Sequence, residues 1–153
     1  MTAYDTLNVF PDVPQGLEAV QAASSSINSV IFSNGTLAMV SASMQRSPDL
    51  TPFASLFTDL IVVEEVRKFK PTPETYQYLA RRVGKEGKME QIWLVSANPF
   101  DIVGANACGL KTAWVDREGK GWADAVIAGE KGRPTVIAKT LGELVDSIIA
   151  YGK

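Results

Sequence analysis

The chain has 153 residues, 46% of them apolar, which suits a single domain with one sizeable core and not two domains. Fifteen basic against seventeen acidic side chains leave a formal charge of −2, with no basic block to follow an anionic polymer, so nucleic acid is not an expected partner. Histidine is absent altogether. That excludes a Ser-His-Asp triad, a Cys-His pair, a histidine general base and every histidine metal site, and leaves acid–base chemistry to Asp, Glu, Lys or Tyr.

The single cysteine, Cys108, permits no intrachain disulfide and no thiolate cage, and it suits a reducing compartment. The first twenty residues lack a positive n-region followed by an apolar h-region, and no apolar run reaches about 18 residues. The expectation is a soluble, cytoplasmic protein with no membrane partner.

Met1 to Gly16, with Pro11 and Pro14 close together, reads as an irregular lead-in, so residues 1–16 are expected to be a linker and 17–153 one folded core. Leu17 to Ser26 has helical composition. Ser29-Val30-Ile31-Phe32 is a short apolar run ending at the turn Ser33-Asn34-Gly35, and a helix from about Thr36 to Arg46 should follow. Leu60 to Val63 reads as the next strand. Thr72 to Val83 reads as a helix, with Thr72 at its cap, Pro73 at its first position, and Tyr76, Leu79, Ala80 and Val83 on one apolar face. Gln91 to Ser96 is a third strand and Pro99 to Cys108 a helix closed by Gly109. Lys111 to Val115 is a fourth strand, Thr135 to Ala138 a short fifth, and Leu141 to Tyr151 a final helix. Strands apolar throughout and separated by helices predict an α/β fold: a Rossmann-like, mostly parallel sheet flanked by helices.

Ligands of open parallel sheets bind beyond the carboxyl ends of the strands. Three such places share a chemical flavour. Ser33-Asn34-Gly35-Thr36 leads into a helix N-terminus that suits a carboxylate or phosphate, though a turn plus cap explains the same residues. Lys68-Phe69-Lys70-Pro71 fixes a lysine before a proline, where an ammonium can neutralise developing charge, though most lysines are simply solvated. Ser96-Ala97-Asn98-Pro99-Phe100-Asp101 brings two polar residues and an acid to one helix start, and a capping role accounts for it equally well.

These segments together resemble the haloacid dehalogenase superfamily, in particular its 2-haloacid dehalogenase branch. The resemblance rests on Val30 to Thr36, on Val63 to Pro71 with Tyr76 following, and on Trp93 to Ala105. Cys108 to Gly119 also looks like that branch, and the similarity covers roughly Leu7 to Ile149. It implies that Ser33 and Asn34 hold a substrate carboxylate or leaving anion and that Lys70 supports a nucleophilic aspartate. It implies too that Ser96, Asn98 and Asp101 orient the nucleophile and the hydrolytic water, with Tyr76 nearby. The substrate implied is a small anion such as a 2-haloacid, converted to a 2-hydroxyacid. A single acid in Ser-x-Asn-x-x-Asp, without the extra carboxylate of the magnesium-dependent phosphatases of the superfamily, favours a site with no metal and no cofactor.

The sequence also departs from the family. The family's first motif, an apolar strand ending in the nucleophilic aspartate, and the helical cap that follows should precede Ser33. Only 32 residues do so here, and Leu7 to Val13 with Gly16-Leu17 look like the end of the cap and the return to the core. The expectation is an N-terminally truncated relative whose site lacks its nucleophile and is weakly active or inactive. Asp5 only faintly echoes the missing motif. Two alternatives stay open: hydrolysis with Asp101 or Asp5 as a substitute, and a non-enzymatic module binding an anion or a partner.

In the superfamily the missing strand lies between those ending at Ser33 and Ser96. Its loss predicts two apolar edges facing a gap. Residues 1–16 fill that gap, the edges close on each other, or two chains pair as a homodimer. Elsewhere, Cys108 reads as a small buried apolar residue, Trp93 and Trp114 as core, Trp122 as a loop cover, and Arg81 and Arg82 as a solvated helix end.

Overall fold

A strand hydrogen-bonds through its backbone and buries its side chains against helices, so order and pairing decide where a site can form. The structure, a computed structural model, describes residues 8–123 and 132–152. In chain order its elements are α1 (Val13–Ala22), β1 (Ser29–Ser33), α2 (Leu37–Arg46), β2 (Phe57–Val62), α3 (Pro73–Arg82), β3 (Trp93–Ser96), α4 (Pro99–Ala107), β4 (Lys111–Val115), β5 (Val136–Ala138) and α5 (Leu141–Tyr151). The fold is α/β, with parallel strands flanked by helices, as the alternation predicts.

Among the described residues the strands form two sheets. β1 pairs with β2, with Ile31 opposite Leu60 and Ser33 opposite Val62. β4 lies between β3 and β5, with Trp93 opposite Lys111 and Trp114 opposite Ile137. Every pair is parallel. β1 and β3 are not hydrogen-bonded to each other, so the two edges do not close. A cavity of about 1000 Å³ lies between them, lined by both strands and by α1, α3 and α5.

Residues 8–12 form no strand in that gap, and the lead-in is shorter than the sequence suggests: α1 begins at Val13, not at Leu17. Pro14 falls in the first helical turn, where its missing N–H is not needed. Asp12, just before the helix, accepts from the backbone N–H of Leu141 at 3.0 Å and pairs with Arg117 at 2.8 Å, tying α1 to α5. The proposal that residues 1–7 enter the gap lies outside the described residues.

Other boundaries move for local reasons. β2 starts at Phe57 and Val63 leaves it, because Val63–Val66 turns into a 3-10 helix that ends at Arg67 with φ 51. A second 3-10 turn, Met89–Gln91, delays β3 to Trp93. Thr36 caps α2 as expected, accepting from Met39 N at 3.2 Å, and the Glu64 carboxylate accepts from Leu37 N at 2.7 Å. Gly109, φ +86, takes the left-handed conformation that closes α4.

The core has two parts. α3 buries Tyr76, Tyr78, Leu79 and Ala80 against Ile61 of β2, Leu94 of β3 and Ala105 of α4. Ala113, Val115 and Leu144 form a second cluster, with Trp93 packed against it. Cys108 is half-buried against the first cluster, and burial, followed by the nearby Glu74 charge, pushes its thiol pKa up, which suits an inert packing residue. Trp114 is half-buried and meets Trp122 edge-to-face with centroids 5.0 Å apart, so Trp122 covers that ring. Arg82 is exposed but not merely solvated: it donates to Asp59 at 2.6 Å and to the Tyr78 hydroxyl at 2.7 Å.

Candidate active site

β1 and β3 end on either side of the cavity, at Ser33 and Ser96, and the loops after them carry the polar residues to its mouth. The centre of the cluster is a buried ion pair. Lys70 Nζ lies 3.2 Å from Asp101 Oδ1 and 3.3 Å from Oδ2, and both side chains are less than a tenth exposed. Desolvated charges are tolerated only when paired and hydrogen-bonded, and here the ammonium finds a third partner in the Phe32 carbonyl at 3.3 Å. It also lies 4.8 Å from the centre of the Phe32 ring.

Asn34 explains how Lys70 is aimed. Its amide oxygen accepts from Lys70 N at 2.9 Å and its amide nitrogen donates to Lys70 O at 3.4 Å, so one side chain grips the lysine backbone on both sides. A cis Lys70-Pro71 bond turns the chain immediately afterwards. Ser33 Oγ accepts from Gly35 N at 2.9 Å, which leaves the hydroxyl its own proton to donate.

The other half comes from β3 and α4. Ser96 Oγ donates to Asp101 Oδ2 at 3.0 Å and accepts from Asn98 N at 3.0 Å. Asp101 sits in the first turn of α4, where the helix dipole favours a carboxylate. Asn98 precedes the helix but makes no side-chain cap bond, so its exposed amide is left facing the cavity it lines. Asp101 Oδ1 is buried and accepts no well-aligned hydrogen bond, with the Lys70 ammonium 3.2 Å away as its charge partner.

Tyr76 stands behind Asp101. Its hydroxyl donates to the Asp101 carbonyl at 3.3 Å, its ring meets Phe32 edge-to-face, and it is fully buried, so it is not among the residues lining the cavity. Burial first, then the Asp101 charge, pushes its phenol well above the ordinary value. It is a fixed donor and not a base. A Cβ on Gly104 would lie 2.6 Å from both the Tyr76 hydroxyl and Pro71 Cβ, so glycine is what lets α4 seat this close.

The structure thus brings Ser33, Asn34, Lys70, Ser96, Asn98 and Asp101 to one mouth and places Tyr76 one layer behind. Sequence reasoning missed the Phe32 carbonyl as the third partner of Lys70, since a backbone oxygen carries no residue signature. It also missed Glu64, which already occupies the N-terminus of α2; the run Glu64-Glu65 after an apolar strand is the only signal that pointed there.

Chemically, the mouth offers a fixed ammonium, two hydroxyls and two carboxamides around one carboxylate. Among the described residues Asp101 is the only acid lining the cavity, against Lys70 and Lys85, which suits a small anion. No group of three His, Cys, Asp or Glu among the described residues is placed to hold a metal. One carboxylate already bound to an ammonium does not fit a Mg²⁺ ion, which takes carboxylate oxygens in an octahedral shell. No helix among the described residues is long and apolar enough to cross a membrane.

Residues 69–144 match the profile of the HAD-hydrolase-like family. The chain is 32% identical over 120 residues to (S)-2-haloacid dehalogenase 1 of Pseudomonas sp. strain CBS-3, covering 78% of this chain and 49% of that protein. It is 28% identical over 147 residues to the (S)-2-haloacid dehalogenase of Pseudomonas fluorescens, covering 96% and 59%. A crystal structure of a dehalogenase superposes with a TM-score of 0.79 at 25% identity, covering 95% of this chain and 59% of the other. The chain therefore spans about half to three-fifths of the length of the relatives it matches. The shared fold, and a profile match running from the Lys70 loop through the Asp101 helix to α5, make the chain similar to the haloacid dehalogenase-like hydrolases.

Proposed function

We propose that this chain is the core of a hydrolase acting on a small 2-haloacid, in which the residues supporting the reaction are in place and the nucleophilic carboxylate is not supplied by the described residues. The observation that carries the reading is the state of Asp101: the one acid at the mouth among the described residues is bound by Lys70 and Ser96 and held from behind by Tyr76. A carboxylate so committed orients its neighbours. It is poorly placed to attack carbon.

In this reading Ser33 and Asn98 offer hydrogen bonds to the carboxylate or the departing halide, and Asn34 keeps Lys70 in position. Lys70 supplies the positive charge that stabilises the anion formed in displacement, and Ser96 with Asp101 positions water. Tyr76 acts through the Asp101 backbone and is a positioning residue. The core is read from α1 onward, with the described lead-in ending at Asp12, in a cytoplasmic setting that the lone Cys108 suits. Positioned helpers without their nucleophile leave only weak residual catalysis.

The test measures chloride release from each enantiomer of 2-chloropropionate, with aryl-phosphate hydrolysis alongside, and follows anion binding by amide shifts. It compares the intact chain with Lys70→Met and Asp101→Asn. Little or no chloride release, with binding shifts at Ser33, Asn34 and Lys70 that disappear in Lys70→Met, is expected. Vigorous turnover abolished by both substitutions overturns the proposal in favour of a substitute nucleophile, either Asp101 or Asp5, the latter outside the described residues. Binding indifferent to Lys70 overturns the hydrolase assignment in favour of a non-enzymatic module.

A further inference from the structure

We propose that Asn34-Gly35 is a modification site, at which the chain deamidates itself, and that the backbone of Lys70 sets the rate by restraining the Asn34 carboxamide. The chemistry needs only the polypeptide and water, so it goes beyond the hydrolase reading and does not depend on it.

An asparagine carboxamide is open to attack by the backbone nitrogen of the residue that follows. The Gly35 nitrogen gives up its proton and bonds to Asn34 Cγ, the Cγ–Nδ2 bond breaks, and ammonia departs with the proton, leaving a five-membered succinimide. Water then opens the ring. Breakage of the new N–Cγ bond gives aspartate, and breakage of the original peptide bond gives isoaspartate, in which the main chain runs through Cγ. Over both steps one water is consumed and one ammonia released, and nothing is oxidised or reduced.

The sequence singles out this asparagine. Of Asn8, Asn28, Asn34, Asn98 and Asn106, only Asn34 precedes glycine, which has no side chain to crowd the ring closure. Asn98 precedes Pro99, which has no N–H to give up, and Asn8 precedes the branched Val9. Asn106 lies within α4, and Asn28 accepts from the Thr58 hydroxyl at 2.7 Å beside β1. The fold itself calls for glycine at position 35. A Cβ there would lie 3.2 Å from Ser33 Oγ, closer than an ordinary contact, so the reactive pair is built into the turn.

In the folded chain both reacting groups are engaged. The Asn34 amide oxygen accepts from Lys70 N at 2.9 Å, its amide nitrogen donates to Lys70 O at 3.4 Å, and Gly35 N donates to Ser33 Oγ at 2.9 Å. None of these bonds belongs to a helix or a strand ladder: residues 34 and 35 are half-buried between β1 and α2. Freeing them requires the two loops to part and leaves the core intact, a local opening that costs less than unfolding. The reaction is slowed but not blocked. Its products undo the restraint. Aspartate keeps an acceptor for Lys70 N, has no donor for Lys70 O, and adds a negative charge beside a mouth that suits anions. Isoaspartate adds a carbon to the main chain between β1 and α2, which breaks the bond from Gly35 N to Ser33.

The test incubates the full chain at mildly alkaline pH and follows each asparagine by peptide mapping with mass spectrometry, in buffer, in denaturing urea and in the variant Ser33→Ala. In buffer, acid is expected at residue 34 before residues 28 and 106, at a rate about tenfold below that in urea. Ser33→Ala, which frees the Gly35 N–H, should raise the rate severalfold. If that variant does not fold, sub-denaturing urea takes its place, and the rate at Asn34 should rise in step with hydrogen exchange at the Lys70 amide. Conversion of Asn28 or Asn106 ahead of Asn34 in buffer overturns the site, as does a folded chain unmodified at 34 over a time about a hundredfold longer than conversion takes in urea. Equal rates in buffer and urea overturn the restraint, and a rate indifferent both to Ser33→Ala and to exchange at Lys70 overturns the part given to these bonds.

Discussion

β1 and β4 are both five-residue strands with helices on either side, and they end in opposite conditions. In β4 Thr112, Ala113 and Val115 are buried, while in β1 no residue is. The difference is not one of hydrophobicity, for Val30, Ile31 and Phe32 are more apolar than Thr112 and Ala113. It is one of neighbours: β4 has a strand on each side, and β1 has one strand and the cavity. An apolar strand records the burial its sequence is suited to, and only the pairing tells whether that burial is reached.

The sharpest way to break this comparison is to truncate one side chain from each half. Leu144, fully buried beneath β4, should lose about 2–5 kcal/mol of stability on Leu144→Ala. Ile31→Ala, at a half-buried position facing less protein, should lose about 1 kcal/mol. Urea denaturation of both variants checks the order, and equal losses would mean that β1 is as well packed as β4.

A smaller effect is expected where α1 is tied to α5. Burial works against ionising Asp12, but hydrogen bonds from Arg117 and from the Leu141 N–H, with the Arg117 charge, outweigh it and hold the carboxyl below its usual range. A depressed carboxyl contributes stability above its unfolded value of about 4, and that contribution is lost as pH falls through the folded value. Asp12→Asn should therefore destabilise by about 1–2 kcal/mol at pH 7. As pH falls through the folded value the variant and the parent should converge in thermal melts, and a constant difference across pH would assign the effect to packing.

The smallest effect belongs to Asp59 at the rim of the two-stranded half. Its pair with Arg82 is a third exposed, so Asp59→Asn should change stability by less than about 1 kcal/mol in the same urea experiment, and less still at high salt.

What the sequence made legible follows the same division between local and distant causes. β4 and α5 have the predicted limits, and α2 and α4 differ by a residue, because caps and turn residues adjacent in sequence fix their ends. The starts of α1, β2 and β3 differ because each depends on an intervening turn or on a contact made far away. Asp12 meets Arg117 and Leu141 across more than a hundred residues, which no spacing rule reaches. At the site, Ser33, Asn34, Lys70, Ser96, Asn98 and Asp101 were readable because each follows a strand end. How Asn34 is used was not, since gripping the Lys70 backbone from both sides is a matter of three-dimensional placement and not of residue type.

The cavity divides the hydrogen bonds of the sheet but not the core beneath it. α3 sets Tyr76, Leu79 and Ala80 against Ile61 from the two-stranded side and against Leu94 and Ala105 from the three-stranded side in a single apolar cluster. Neither half can lose its structure without uncovering the other half's share of that helix. Among the described residues that shared helix couples the two halves, so the interrupted ladder lies over an apolar cluster that both sides need.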